Sequence, residues 1–148
     1  MKRYSNLWST ICSMENLKAA HKSARKGKTY YREVKKVDED PEKYLAMLQE
    51  SLINGTFKTS EYIVFEREEG HKTRLIYKLP YYPDRIAQWA ILRVIEPILI
   101  KNLTRDTYSA IPGRGTHLAL KRLKKNLRQD PNGTAYCLKL DMRKYYQS

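Results

Sequence analysis

Cysteine is close to absent from this sequence. Cys12 and Cys137 stand far apart, without the close spacing of metal ligands, so both thiols are read as reduced, intracellular and buried. No apolar run approaches the roughly 20 residues of a membrane-spanning helix. A mean hydropathy of -0.72 likewise argues for no membrane role. The opening stretch MKRYSNLWSTICSMENLK has an early basic pair but no uninterrupted apolar segment, so no signal peptide is read and a cytoplasmic location is expected. Histidine is scarce too. His21, His71 and His117 are scattered, with no acidic or cysteine neighbour at ligand spacing, so neither a zinc site nor an acid–base pair is read from them. No Ser-His-Asp pattern, nucleophile elbow, repeat, low-complexity tract or Gly/Ser linker occurs.

Acid is missing where base is concentrated. Lys and Arg total 29 against 16 Asp and Glu, a formal charge of +13. From Lys18 to Lys36 there are eight basic residues and one acid, Glu33; from Thr107 to Gln129 there are six basic residues and no acid. Such stripes suit a phosphate backbone, whose neutralisation releases counterions. The competing reading is a solvated face that keeps the protein soluble.

Hydrophobic residues make up 41% of the 148, enough for one core. Leu7, Ile11, Met14 and Leu17 predict an amphipathic helix over residues 5–27, closed by Gly27. A second helix opens with Asp40 as N-cap, Pro41 at the first helical position and Glu42 in the first turn. It buries Tyr44 or Leu45, Leu48 and Leu52, and ends at Asn54-Gly55. SEYIVFEREEGHKTRLIYKLP predicts a hairpin with strands near 62–66 and 73–78. Ile86, Ala90, Ile91, Val94 and Ile98 return to helical spacing, which Pro97 should kink or interrupt. A basic helix over 116–128, capped by Thr116 and carrying Leu120, Leu123 and Leu127, precedes a tight turn at DPNG and a last strand, TAYCLKLD. The fold class is α+β.

Gly113-Arg114-Gly115 ahead of a helix is either a phosphate-cradling turn or simply a tight entry to that helix. Asp141, at the carboxyl end of an apolar run and beside basic residues, suits a divalent cation held for phosphoryl transfer; taken alone, an ordinary strand-end turn is the commoner reading. Asp84 reads as a helix N-cap.

Read in order, KTRLIYKLPYYPDRIAQWAILRVIEPIL, RDTYSAIPGRGTHLALKRLKKNL and CLKLDMRKYYQS resemble three consecutive blocks of reverse transcriptases, most closely the prokaryotic group II intron and diversity-generating retroelement type. The likeness covers about residues 72–148. It rests on an Arg-containing strand, Asp-Arg-Ile-x-Gln before a helix reaching Ile-Glu-Pro, Gly-Arg-Gly-x-His, and an aspartate followed by two aromatics.

The resemblance implies the fingers and the beginning of the palm of a right-hand polymerase: a basic helical region over 1–60, a fingers-like region over 61–133 and a first palm strand over 134–148. It implies RNA-directed DNA polymerisation, with an RNA template, a DNA or RNA primer, dNTPs, and Mg2+ or Mn2+. By resemblance Asp141 would be the catalytic metal ligand, with Met142 lending its carbonyl. Lys144 and Tyr145 would offer backbone N–H groups to the triphosphate, and Tyr146 would bar a ribose 2′-hydroxyl. Lys72 and Arg74 would clamp the triphosphate, since an Arg fork binds phosphate oxygens bidentately. Arg114, Lys121, Arg122, Lys124, Lys125 and Arg128 would meet template or primer phosphates. The family completes its centre with an Asp-Asp motif, and no Asp-Asp dipeptide occurs here. The expectation is therefore a polymerase part, inactive by itself, with an unpaired palm edge open to self-association or an accessory protein. The alternative is a reverse-transcriptase-like module that holds RNA without polymerising.

Overall fold

A computed structural model describes residues 3–142; Lys144, Tyr145 and Tyr146 lie outside the described residues. The chain divides into two compact units, one ending at Lys101 and the other beginning at Asn102. The architecture is mixed helix and sheet, with one antiparallel two-stranded hairpin among the described residues. None of the described helices is long and apolar enough to cross a membrane.

The first unit opens with α1 (Leu7–Ile11) and α2 (Met14–Ala24). The single helix expected over 5–27 is broken because Ser13 is extended (φ -64°, ψ 140°) and its side chain accepts a hydrogen bond from the Asn16 N–H. A capped new start here outweighs an apolar spacing that runs on unbroken across it. The break is fastened from outside: Gln49 donates to the Cys12 carbonyl at 2.8 Å. Asn16 Nδ2 donates to the carbonyls of Ile11 and Ala90.

Helix α3 (Arg32–Glu39) has only two buried residues, Val34 and Val37, within a charged sequence. Helix α4 (Pro41–Ile53) begins as its sequence predicts, with the Asp40 carboxylate accepting from the Lys43 N–H and Pro41 in the first turn. It buries Leu45, Leu48 and Leu52. These leucines meet Leu17, Ala20 and Ala24 of α2 and Val34 and Val37 of α3 in the core. Ile86, Ala87 and Ala90, from α5 (Ile86–Asn102), join it, as do Ile11, Cys12 and Tyr81. Pro97 does not end α5, which runs through it. Its missing N–H leaves the Arg93 carbonyl without an intrahelical donor.

Asp84 does not cap α5. It is buried in the irregular turn Tyr81–Arg85, where Oδ1 accepts from the Ser60 N–H at 3.0 Å. It thereby anchors the segment leading into the hairpin. Strands β1 (Ile63–Glu69) and β2 (Lys72–Lys78) are joined by Gly70-His71. Gly70 takes φ 62°, the left-handed conformation that a two-residue hairpin loop with glycine first requires.

The second unit holds α6 (Thr116–Gln129), whose N-cap is Gly115 rather than Thr116 and makes no side-chain cap bond. DPNG is a turn as expected: the Gly133 N–H donates to Asp130 Oδ1 at 2.8 Å. The strand expected over 134–141 does not form. A strand exists only by pairing, and here it has no ladder partner among the described residues. Tyr136, Leu138, Leu140 and Met142 are consequently exposed, as is Cys137; Cys12 is buried as expected, and burial pushes its thiol pKa up.

Candidate nucleic-acid interface

The hairpin sorts its charges by face. Cross-strand register pairs Glu69 with Lys72, Arg67 with Arg74, Phe65 with Ile76 and Ile63 with Lys78. Side chains alternate along a strand, so these eight share one face. That face carries four cations, Arg67, Lys72, Arg74 and Lys78, against one acid. The opposite face carries Glu66 and Glu68 and no cation. Lys72 and Arg74, singled out in sequence, therefore stand together and exposed. Arg67 was not singled out, because only the register reveals that it faces Arg74. Glu69 ties the arginines, lying 3.9 Å from Arg67 Nε and 3.1 Å from Arg74 Nε. At the hairpin's other end Lys78 Nζ meets Glu33 Oε1 at 2.7 Å, and Glu33 Oε2 accepts from the Tyr81 N–H. These two donors hold the Glu33 carboxyl below its usual pKa.

In the second unit, the cations of α6 divide. Lys121, Lys124, Lys125 and Arg128 recur at three-, four- and seven-residue spacing, which places them on one side of the helix. All four are exposed, and none has an ion-pair partner among the described residues. Leu120, Leu123 and Leu127 form a neighbouring exposed stripe. Arg122 is one residue out of step with Lys121, about 100° around the helix. Its Nη1 donates to the Asp106 carboxylate at 2.6 Å and to the Arg105 carbonyl at 3.1 Å. The Arg122 guanidinium and the Tyr108 hydroxyl hold Asp106 below its ordinary pKa. Arg122 thus braces the loop before α6. It also borders, with Arg105, Lys125 and Gln129, a recess of about 330 Å³. Arg114 is half-buried, and its Nη1 donates to the Thr104 carbonyl at 3.2 Å, closing the same loop.

Asp141 and Met142 lie in the exposed irregular segment after the DPNG turn. A two-cation centre needs carboxylates from more than one segment. Among the described residues no three His, Cys, Asp or Glu side chains come together as a ligand set. Asp141 is a single carboxylate, so the Mg2+ or Mn2+ pair that the motif likeness implies would need further ligands beside it.

One titratable cluster was not legible in sequence. His21, buried in α2, lies with Nε2 3.0 Å from Asp38 Oδ1 and Nδ1 2.8 Å from the Tyr81 hydroxyl; Arg25 Nη2 reaches Asp38 Oδ2 at 2.7 Å. A carboxylate only accepts, so Nε2 carries the proton toward Asp38. Burial lowers the His21 pKa despite Asp38, leaving Nδ1 to accept from the tyrosine O–H. Burial also pushes Tyr81 up to about 12. This cluster joins α2, α3 and the Tyr81–Arg85 turn, and Arg25, within the first basic stripe, is absorbed by it.

No protein-family model matches this chain, and no curated protein matches its sequence.

Proposed function

We propose that this chain is the fingers and first palm segment of an RNA-directed DNA polymerase, and that it holds a template–primer through the phosphate backbone. The observation that carries the reading is the exposed row Lys121, Lys124, Lys125 and Arg128 on one side of α6, in a stretch of chain without a single acid. This helix follows the Gly113-Arg114-Gly115 motif of the second block of the resemblance. The hairpin adds support, since Lys72 and Arg74 stand with Arg67 on its basic face. Lysine and arginine at such spacing neutralise successive phosphates without reading sequence, as a polymerase that copies any template requires.

The chemistry this reading assigns to the chain is placement. Lys72, Arg67 and Arg74 offer positive charge and planar forks to phosphate oxygens. Arg114 and Arg122 hold the loop before α6, fixing where the helix presents its cations. Asp141 is the catalytic carboxylate by resemblance alone. Two measurements test the reading: affinity of the chain for an RNA–DNA template–primer as salt is raised, and RNA-templated dNTP incorporation by the full-length gene product. Salt-independent binding would remove the phosphate-holding role.

A further inference from the structure

Within the first unit a cleft of about 540 Å³ opens between the hairpin, the start of α3 and the start of α5. Its volume falls in the range of about 300–1,000 Å³ typical of small-ligand sites. Lys28, Tyr31, Tyr62, Tyr77 and Arg85 are among its lining residues. The three tyrosines are half-exposed rather than spent in the core. All three have ring neighbours: Tyr31 stacks on Tyr30 with centroids 4.5 Å apart, and Tyr62 meets Tyr77 edge-on at 5.9 Å. The cleft's acid, Glu33, is already occupied by Lys78 and the Tyr81 N–H. Lys28 and Arg85 have no ion-pair partner among the described residues, so the cleft keeps a net positive charge.

The geometry points to this cleft as a binding site for single-stranded nucleic acid, with bases stacking on Tyr31 and Tyr62 and the backbone phosphates meeting Lys28 and Arg85. A duplex hides its base faces, so aromatic rings recessed between a hairpin and a helix reach only unpaired bases. Aromatic platforms beside uncompensated cations are the combination by which proteins hold single strands without regard to sequence. The cleft is lined by first-unit residues alone and rests on the nucleic-acid reading above, to which it adds the kind of strand that this unit takes.

The test uses fluorescence anisotropy with two probes, a short labelled oligouridine and a blunt duplex. Tyr31→Ala and Tyr62→Ala should each weaken oligouridine binding about tenfold, from loss of one stacked base. Tyr31→Phe and Tyr62→Phe, which keep the ring, should bind oligouridine like the wild type. Duplex binding should be unchanged in all four variants. Unaltered oligouridine binding in the alanine variants, while the wild type binds both probes, would overturn the cleft and leave the phosphate-holding reading standing. Equal losses on both probes would also overturn it, marking the tyrosines as structural. A wild-type chain that binds neither probe would overturn both readings.

Discussion

Arg67 and Arg74 stand directly opposite each other across the hairpin, and the Glu69 carboxylate reaches both, at 3.9 and 3.1 Å. Like charges facing across a ladder oppose each other. Their retention on an exposed face, with one acid between two guanidinium groups, leaves an excess of positive charge for a phosphate. Glu69→Gln should therefore strengthen template–primer binding about two- to fivefold at low salt and steepen its salt dependence, by up to about one unit of slope. Weaker or unchanged binding would take the hairpin out of the interface.

If about five phosphates are contacted, log K should fall against log salt with a slope near -4. Lys121→Gln, Lys125→Gln and Arg128→Gln should each flatten that slope by about one and weaken binding uniformly across sequences. Arg122→Gln should instead loosen the loop from Thr104 to Gly115, because its guanidinium is engaged with Asp106 and the Arg105 carbonyl. Faster amide exchange in that loop would register this. Slopes that do not respond to the lysine substitutions would return α6 to an ordinary solvated face.

Local chemistry was legible before the structure. Asp40-Pro41-Glu42 starts a helix because capping and proline geometry act within one turn, and Gly70 turns the hairpin for a similar reason. Features set by partners distant in sequence were not. Val34 and Val37 are too few to mark α3 by periodicity, yet burial makes them core. The unbroken spacing of Leu7, Ile11, Met14 and Leu17 masked the Ser13 cap. TAYCLKLD has strand composition, but a strand also needs a neighbour. His21 finds Asp38 and Tyr81 only after three segments pack. At the candidate site, Lys72 and Arg74 were legible as basic residues of one strand, whereas Arg67 entered through register alone. The different duties of Arg122 and Lys121 came from helix geometry and a loop contact.

The His21 cluster predicts how stability responds to pH. The folded imidazole has a pKa below the ordinary 6.5. The unfolded chain therefore takes up a proton as pH falls through that value while the fold resists it. Stability from this group is complete above 6.5 and declines below it. Glu33 adds a second loss further into acid, because its depressed pKa makes the fold bind a proton later than the unfolded chain does. At the alkaline end an unfolded tyrosine ionises near 10, but Tyr81 only at about 12, so stability falls as pH rises across that interval. Urea midpoints over the full range should show both declines, and Tyr81→Phe should lessen the alkaline one. His21→Ala should cost roughly 1–3 kcal/mol by leaving buried partners unpaired. A midpoint unaffected by His21→Ala would mean that the cluster does not tie the helices together.

The proposed polymerase role makes Asp141 the catalytic carboxylate of the three sequence blocks. The most direct measurement is RNA-templated dNTP incorporation by the full-length gene product, wild type against Asp141→Asn, with template–primer affinity measured alongside. Expected are incorporation by the wild type, a loss of roughly a thousandfold in rate for the variant (~4 kcal/mol in the transition state) and nearly unchanged binding. No incorporation by the wild type, or an Asp141→Asn rate within about tenfold of it (~1.4 kcal/mol), would rule out a catalytic role for Asp141.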